Sequence, residues 1–282
     1  MIHYKSLEDF LISKELSVDA ELDDGLGAKY PVKGREIEAT ILFADISLFS
    51  KRTLDLTPTA TLIFVNRFFT WITNEALKGI PCIIDKYIGD QIMVIFSREF
   101  GSKNPFLEAV QAARKFAESD FLGFQPHMGI ASGVVTVGYV GTPLRYNCSV
   151  FGKPVTIASR CADMKVDVPN YASIIFPAKL WHNYSFREIF KPVETSSSNF
   201  TILEMPINWE EMPAAIVEMK NVGSVEVTSI VNMELSDYAC DPHEPGLADR
   251  SLITKAEAEE DLKVLRAQGK YKPIEDGIYS LK

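Results

Sequence analysis

Apolar and polar positions alternate along this chain with two periods, one of two residues and one of three to four. Residues 36–43 form an apolar run ending at Phe43, read as a first strand. Leu54 to Gly79 follows as the longest helical stretch. Thr57 is placed to cap it, Pro58 sits at its first position, and Leu62, Val65, Phe69, Ile72 and Ala76 form the apolar stripe. Residues 80–87 and 91–97 are two apolar runs around Gly89-Asp90, a tight hairpin. Asn104 to Glu118 is a second amphipathic helix, with Phe106, Val110, Ala113 and Ala117 on one face. Gln125–Ser132 and Val134–Val140 are two further strands around Gly133. Strand, helix, strand, strand, helix, strand in that order predicts an α+β fold of the ferredoxin-like βαββαβ kind, an antiparallel sheet with helices on one face.

The rest of the chain extends this unit. A short strand at 149–151 leads into a helix from Pro154 to about Met164, and residues 173–176, 186–191 and 199–204 read as closing strands. Residues 1–35 read as an N-terminal appendage: Ser6 caps a short helix through Leu16, and Asp19–Gly34 is a loop. The catalytic unit is assigned to residues 36–205 and a C-terminal extension to 206–282. Within the extension, 222–235 reads as an extended arm, and 254–268 as a helix opened by a Thr254/Glu257 capping box.

Composition narrows the classes. With 282 residues, 46% hydrophobic and 24% charged, the chain is of ordinary globular make-up. A net charge of −9 argues against a nucleic-acid partner. The four cysteines have no short paired spacing, no apolar stretch approaches the ~20 residues of a membrane span, and the first residues lack a leader-like core. These features predict a cytoplasmic protein with reduced thiols.

The chemistry concentrates at strand ends. Ile41-Leu42-Phe43 runs into Asp45, and Pro81–Ile84 runs into Asp85, Gly89 and Asp90. A rigid sheet can hold two such carboxylates close together, and hard oxygen ligands with nothing soft beside them suit Mg²⁺ or Mn²⁺. Taken singly, Asp90 is an ordinary turn residue and Asp45 an ordinary cap.

Five segments in order resemble the class III nucleotide cyclases: Phe43-Ala44-Asp45-Ile46-Ser47, Lys86 to Met93, Gly129 to Gly133, Gly138 to Gly141, and Phe151 to Arg160. The resemblance implies a catalyst that joins a ribose 3′-oxygen to the α-phosphorus and releases pyrophosphate. It implies two divalent ions (Mg²⁺ or Mn²⁺) on Asp45 and Asp90, with the Ile46 carbonyl as a further ligand. The turn from Ile46 to Phe49 then meets the triphosphate, Lys86 and Ser149 read the base, Thr156 stands where an asparagine usually orients the ribose, and Arg160 steadies charge on the α-phosphate. It further implies a head-to-tail homodimer with shared active sites, the metal residues of one chain meeting Lys86, Ser149, Thr156 and Arg160 of the other.

Departures at Leu48, Ser149 and Thr156, and a stand-alone architecture with its own C-terminal extension, resemble the Pycsar-type uridylate cyclases of anti-phage defence. UTP is therefore the leading substrate and cyclic UMP the product. The alternatives are an adenylate cyclase acting on ATP and a degenerate cyclase-fold module that only binds nucleotide. A dinucleotide cyclase fits poorly, because Gly89-Asp90 lacks the expected Gly-Gly-acidic turn. His127, His243 and Lys191 read more simply as packed or exposed side chains than as functional groups.

Overall fold

The computed structural model describes residues 4–118, 124–142, 145–166, 171–191, 208–233 and 250–271. At its centre is a long strand, β2 (Lys29–Asp45), preceded by α1 (Leu7–Ile12) and β1 (Val18–Asp23). Both faces of β2 are buried: Ile37, Ala39, Ile41 and Phe43 point one way, Leu42 and Ala44 the other. Then come a short helix, α2 (Phe49–Thr53), and α3 (Pro58–Trp71), which continues through a wider π turn to Ala76. The hairpin β3 (Ile83–Ile88) and β4 (Gln91–Phe96) leads to α4 (Pro105–Glu118) and β5 (His127–Thr142). The remaining described elements are β6 (Arg145–Phe151), α5 (Lys153–Ala162), β7 (Tyr171–Pro177), α6 (Phe186–Ile189), β8 (Asn208–Glu211), β9 (Ala215–Met219), β10 (Gly223–Met233) and α7 (Arg250–Ala267).

The sheet order is β3-β4-β2-β5-β7-β10-β8, with β1 on β2, β6 on β5 and β9 on β10. All pairs are antiparallel except β5 with β7. The segment β2-α3-β3-β4-α4-β5 is the expected βαββαβ unit, and its two helices cover one face through Phe64, Phe68, Ala109, Val110 and Phe116. The opposite face is covered as well, by α1 and α5 through Leu7, Phe10, Ala158 and Ala162.

Local rules account for most elements. The Thr57 hydroxyl accepts from the Ala60 amide at 3.2 Å, with Pro58 in the first turn of α3. Ser6 caps α1 in the same way. Gly89 adopts φ +64° as the first of two loop residues between Ile88 and Gln91, the position where a two-residue hairpin favours glycine.

Several readings are corrected. Asp19–Gly34 is not a loop: β1 and the first part of β2 pair there, from Val18↔Gly34 to Asp23↔Lys29. Its side chains are largely exposed on both faces, so no apolar alternation advertised it. The stripe of α3 is wider than expected and loses one member. Phe69, Ile72 and Ala76 are buried as expected and Val65 packs against the core, Phe64 and Phe68 join them fully buried, and Leu62 is 61% exposed. Residues 127–142 form one strand rather than two, and its pairing with β2 runs without a shift past Gly133. Residues 186–189 are helical, because Phe186 and Phe190 stack at 5.2 Å one helical turn apart. The proposed strand at 199–204 lies outside the described residues, as does His243. The extended arm is β10, which pairs with β7 inside the sheet and buries Ile230 and Val231. Helix α7 begins at Arg250, so Thr254 lies inside it rather than at its cap. This helix packs on α3 with Ala258 and Leu262 buried, while Arg67 of α3 is gripped by Glu257 and Asp261.

One close approach locks α5 in place. A Cβ on Gly129 of β5 would lie 2.0 Å from the Ala158 carbonyl oxygen and 2.3 Å from the Ala162 nitrogen. Both are backbone atoms that cannot rotate away. Gly129→Ala is expected to destabilise the protein by about 1–3 kcal/mol, read as a lowered midpoint in urea unfolding.

Candidate active site

Strand β2 ends at Asp45, beside the hairpin tip that carries Asp90. The Asp90 carboxyl is close enough to the Asp45 carboxyl to act on its proton. Burial, then this neighbour, hold the Asp45 carboxyl up at about 8; the field of Asp163 adds to the rise, and a hydrogen bond from the Ile46 backbone opposes it. A carboxyl group that resists ionisation because it is partly desolvated and faces another carboxyl is a site whose missing element is positive charge. Among the described residues no cluster of three or more His, Cys, Asp or Glu is arranged for a metal. The available donors here are therefore the two carboxylates and backbone oxygen, a hard set that fits Mg²⁺ or Mn²⁺ with water and phosphate completing the coordination.

The chain after Asp45 turns sharply. Ile46 is buried, its carbonyl accepts the Phe49 amide at 3.3 Å, and Leu48 adopts φ +55°. A left-handed residue at this point explains why glycine would serve well there. The Phe49 ring stacks on Phe64, 6.4 Å between centroids, so its side chain belongs to the core and only its backbone faces the turn.

A second cluster assembles about Lys86. Its ammonium donates to the Ser149 hydroxyl at 2.6 Å, joining two residues 63 positions apart. Ser149, on β6, is 2% exposed and donates in turn to Asp85 Oδ2 at 2.9 Å. Lys86 also pairs with that oxygen at 3.1 Å. Asp85 itself is not among the site residues that the sequence predicts. Alternation puts Asp85 on the same buried face as Ile83, and its side chain is 1% exposed; the β3–β4 register shifts between Ile84 and Lys86, a bulge that brings Lys86 onto that face beside it. Burial pushes the Asp85 carboxyl up, and Lys86 and Ser149 pull it back.

Thr156 and Arg160 lie one turn apart on α5. Thr156 is exposed, and Arg160 pairs with Asp163 of the same helix end at 3.4 Å. Within one protomer Arg160 is thus a helix-surface ion pair. Of the predicted residues, then, the fold joins Asp45 to Asp90 and Lys86 to Ser149, and leaves Thr156 and Arg160 on the helix surface. Lys191 contributes its carbonyl to Arg114 at 2.7 Å. His127 sits across from Asp45 in the β2–β5 register.

Residues 32–169 match the family described as the adenylate and guanylate cyclase catalytic domain. A Mycobacterium bovis protein of uncharacterised function, Mb1353c, is 31% identical over 140 residues, which is 48% of this chain and 26% of that protein. The match thus spans about a quarter of that relative's length. Among solved structures, the adenylyl cyclase CyaB from P. aeruginosa superposes with a TM-score of 0.51 at 18% identity, covering 72% of this chain and 97% of that one. The guanylate cyclase domain of RhGC from Catenaria anguillulae, solved with GTP, gives 0.50 at 16%, covering 71% and 100%. At these identities the structural likeness speaks for the fold. The segment 32–169 belongs to the class III cyclase catalytic-domain family. Among the described residues no helix is long and apolar enough to cross a membrane.

Proposed function

We propose that this chain is a nucleotide cyclase that converts a nucleoside triphosphate into its 3′,5′-cyclic monophosphate and pyrophosphate. The observation that carries the reading is the Asp45–Asp90 carboxyl pair, held at the end of the central strand inside a segment of cyclase family. Divalent cations bound there supply charge for the triphosphate and lower the pKa of the ribose 3′-hydroxyl. Asp45, Asp90 and the Ile46 carbonyl hold them. The turn from Ile46 to Phe49 lies against the phosphates, Lys86 and Ser149 meet the base, Thr156 orients the ribose, and Arg160 leaves Asp163 for the α-phosphate.

The working form is a homodimer with two shared sites. The β3–β4 hairpin supports this division, since Asp90 joins Asp45 while Lys86, four residues earlier, joins Ser149 in a separate cluster. Apolar side chains stand exposed on the neighbouring strands, including Ile88, Val140 and Tyr146. We take UTP as the substrate, and a cyclic UMP signal in anti-phage defence within the cytoplasm as the role, on the departures at Leu48, Ser149 and Thr156. ATP is the runner-up, because a lysine donor suits adenine N1 as well as a uracil keto oxygen.

The test is a product screen. The full chain is incubated with each of the four ribonucleoside triphosphates and Mn²⁺ or Mg²⁺, and products are identified by mass and fragmentation. Cyclic UMP is expected. Cyclic AMP as the main product moves the assignment to ATP, and no cyclic product from any nucleotide overturns the cyclase reading.

A further inference from the structure

Asp85 is the one buried charged side chain in this region that the expected chemistry leaves without a role. Its Oδ2 accepts from both Ser149 and Lys86, and its Oδ1 is buried with no hydrogen-bond partner. Nothing in a strand requires a carboxylate there. An apolar residue would avoid the desolvation that burying this one entails.

Counting donors and acceptors shows what the carboxylate does. A serine hydroxyl has one proton and two lone pairs, and a lysine ammonium has three protons and no lone pair. The Ser149 proton goes to Asp85 at 2.9 Å, and one Ser149 lone pair receives Lys86 at 2.6 Å. Lys86 gives a second proton to Asp85 at 3.1 Å. What remains is one N–H on Lys86 and one lone pair on Ser149, side by side. Without Asp85 the hydroxyl could turn either way and would accept or donate at will.

We propose that Asp85 is a positioning residue that sets substrate specificity: by taking the Ser149 proton it fixes that hydroxyl as an acceptor, so the base must present an N–H donor beside the acceptor that meets Lys86. The inference rests on the cyclase reading for its substrate, but it is about the polarity of a hydrogen-bond pair and can fail separately. Uracil meets the demand with N3–H beside O4, and adenine with its 6-amino group beside N1. A base whose N–H has been removed leaves the Ser149 lone pair facing nothing. Leaving one such group unmatched lowers specificity by roughly 10- to 100-fold. Asparagine at position 85 would turn its carbonyl oxygen to the two donors, Ser149 and Lys86, and keep their orientation. Alanine removes the acceptor, and the Ser149 hydroxyl is then free to donate to the base or accept from it.

The experiment compares UTP with N3-methyl-UTP, and ATP with purine riboside triphosphate, on wild type, Asp85→Ala and Ser149→Ala. Turnover is read by product mass, and binding by calorimetry with Mn²⁺. Wild type is expected to prefer the parent nucleotide over its N–H-lacking analogue by roughly 10- to 100-fold. Asp85→Ala should bring the ratio to about one, and Ser149→Ala should do the same. Should Asp85→Ala fail to fold, the Ser149→Ala ratio carries the test, because a retained preference there rules out Ser149 as the acceptor. A preference retained in Asp85→Ala overturns the role of Asp85 and leaves the cyclase reading intact. Binding that discriminates in wild type without any turnover overturns the cyclase reading and keeps the role of Asp85. Wild type that binds none of these nucleotides overturns both.

Discussion

Asp45→Asn is expected to lower nucleotide cyclisation by roughly 10³-fold while making the metal-free protein more stable than wild type near pH 8. The two effects share one cause. In the native protein the Asp45 carboxyl is held at about 8, against 3.8 in the unfolded chain. Between those values the native state keeps a proton that the unfolded state has released, so native stability falls as pH rises from about 4 to about 8. Above that window the charged pair is present in full and the destabilisation is complete. Asparagine carries no charge and removes the decline. The gain is of order 1–2 kcal/mol at pH 8, once solvent screening around this partly exposed pair is allowed for. Thermal unfolding of wild type and Asp45→Asn from pH 5 to 9, with chelator and then with Mn²⁺, tests the pair. Wild type with chelator should lose stability across the window, and Mn²⁺ should restore it. Asp45→Asn should show neither change. Metal binding to wild type below pH 8 should also release protons, seen as buffer-dependent heats in calorimetry. A flat wild-type profile would show that the carboxyl pair stores no repulsion for a cation to relieve.

The second large effect is at Arg160. Arg160→Ala should lower kcat by roughly 10²–10³-fold, the usual loss when a cation aimed at developing charge is removed. Stability should change by less than about 0.5 kcal/mol, because its partner in the protomer is an exposed Asp163 at i+3. Arg160→Lys keeps the charge but not the planar fork, and should recover only part of the activity. Equal losses of activity and stability in Arg160→Ala would instead assign the side chain to holding α5. Steady-state kinetics and urea unfolding on the same preparations separate the two outcomes.

The readings that held and those that failed differ in the kind of signal they used. The Thr57-Pro58 start of α3, the Gly89-Asp90 turn and the α4 face of Phe106, Val110, Ala113 and Ala117 depend on contacts within a few residues. The β1–β2 hairpin escaped notice because it has no buried face to impose alternation. Residues 186–191 looked like a strand because an aromatic-rich run of this length is compatible with either period. The aromatic cluster of Phe186, Phe190, Trp181 and Trp209 made it helical. Residues 222–235 looked like a loose arm, since an alternating run carries no sign of which strand it will join. Pairing with β7 decided that.

The sequence alone determined that Asp45 and Asp90 end or link strands of one βαββαβ unit, because strand and turn propensities act over a few residues and place each group on its own element. It also pointed to Lys86 and Ser149 by motif. Only the tertiary structure decided which groups meet. The crossing of β2 beside the β3–β4 tip brings Asp45 against Asp90. A single bulge brings Lys86 onto the face of Asp85, where both meet Ser149. A one-residue change of register reverses the face of a side chain, and Ser149 reaches this cluster only through the pairing of β6 on β5, 63 positions from Lys86, which no local pattern records.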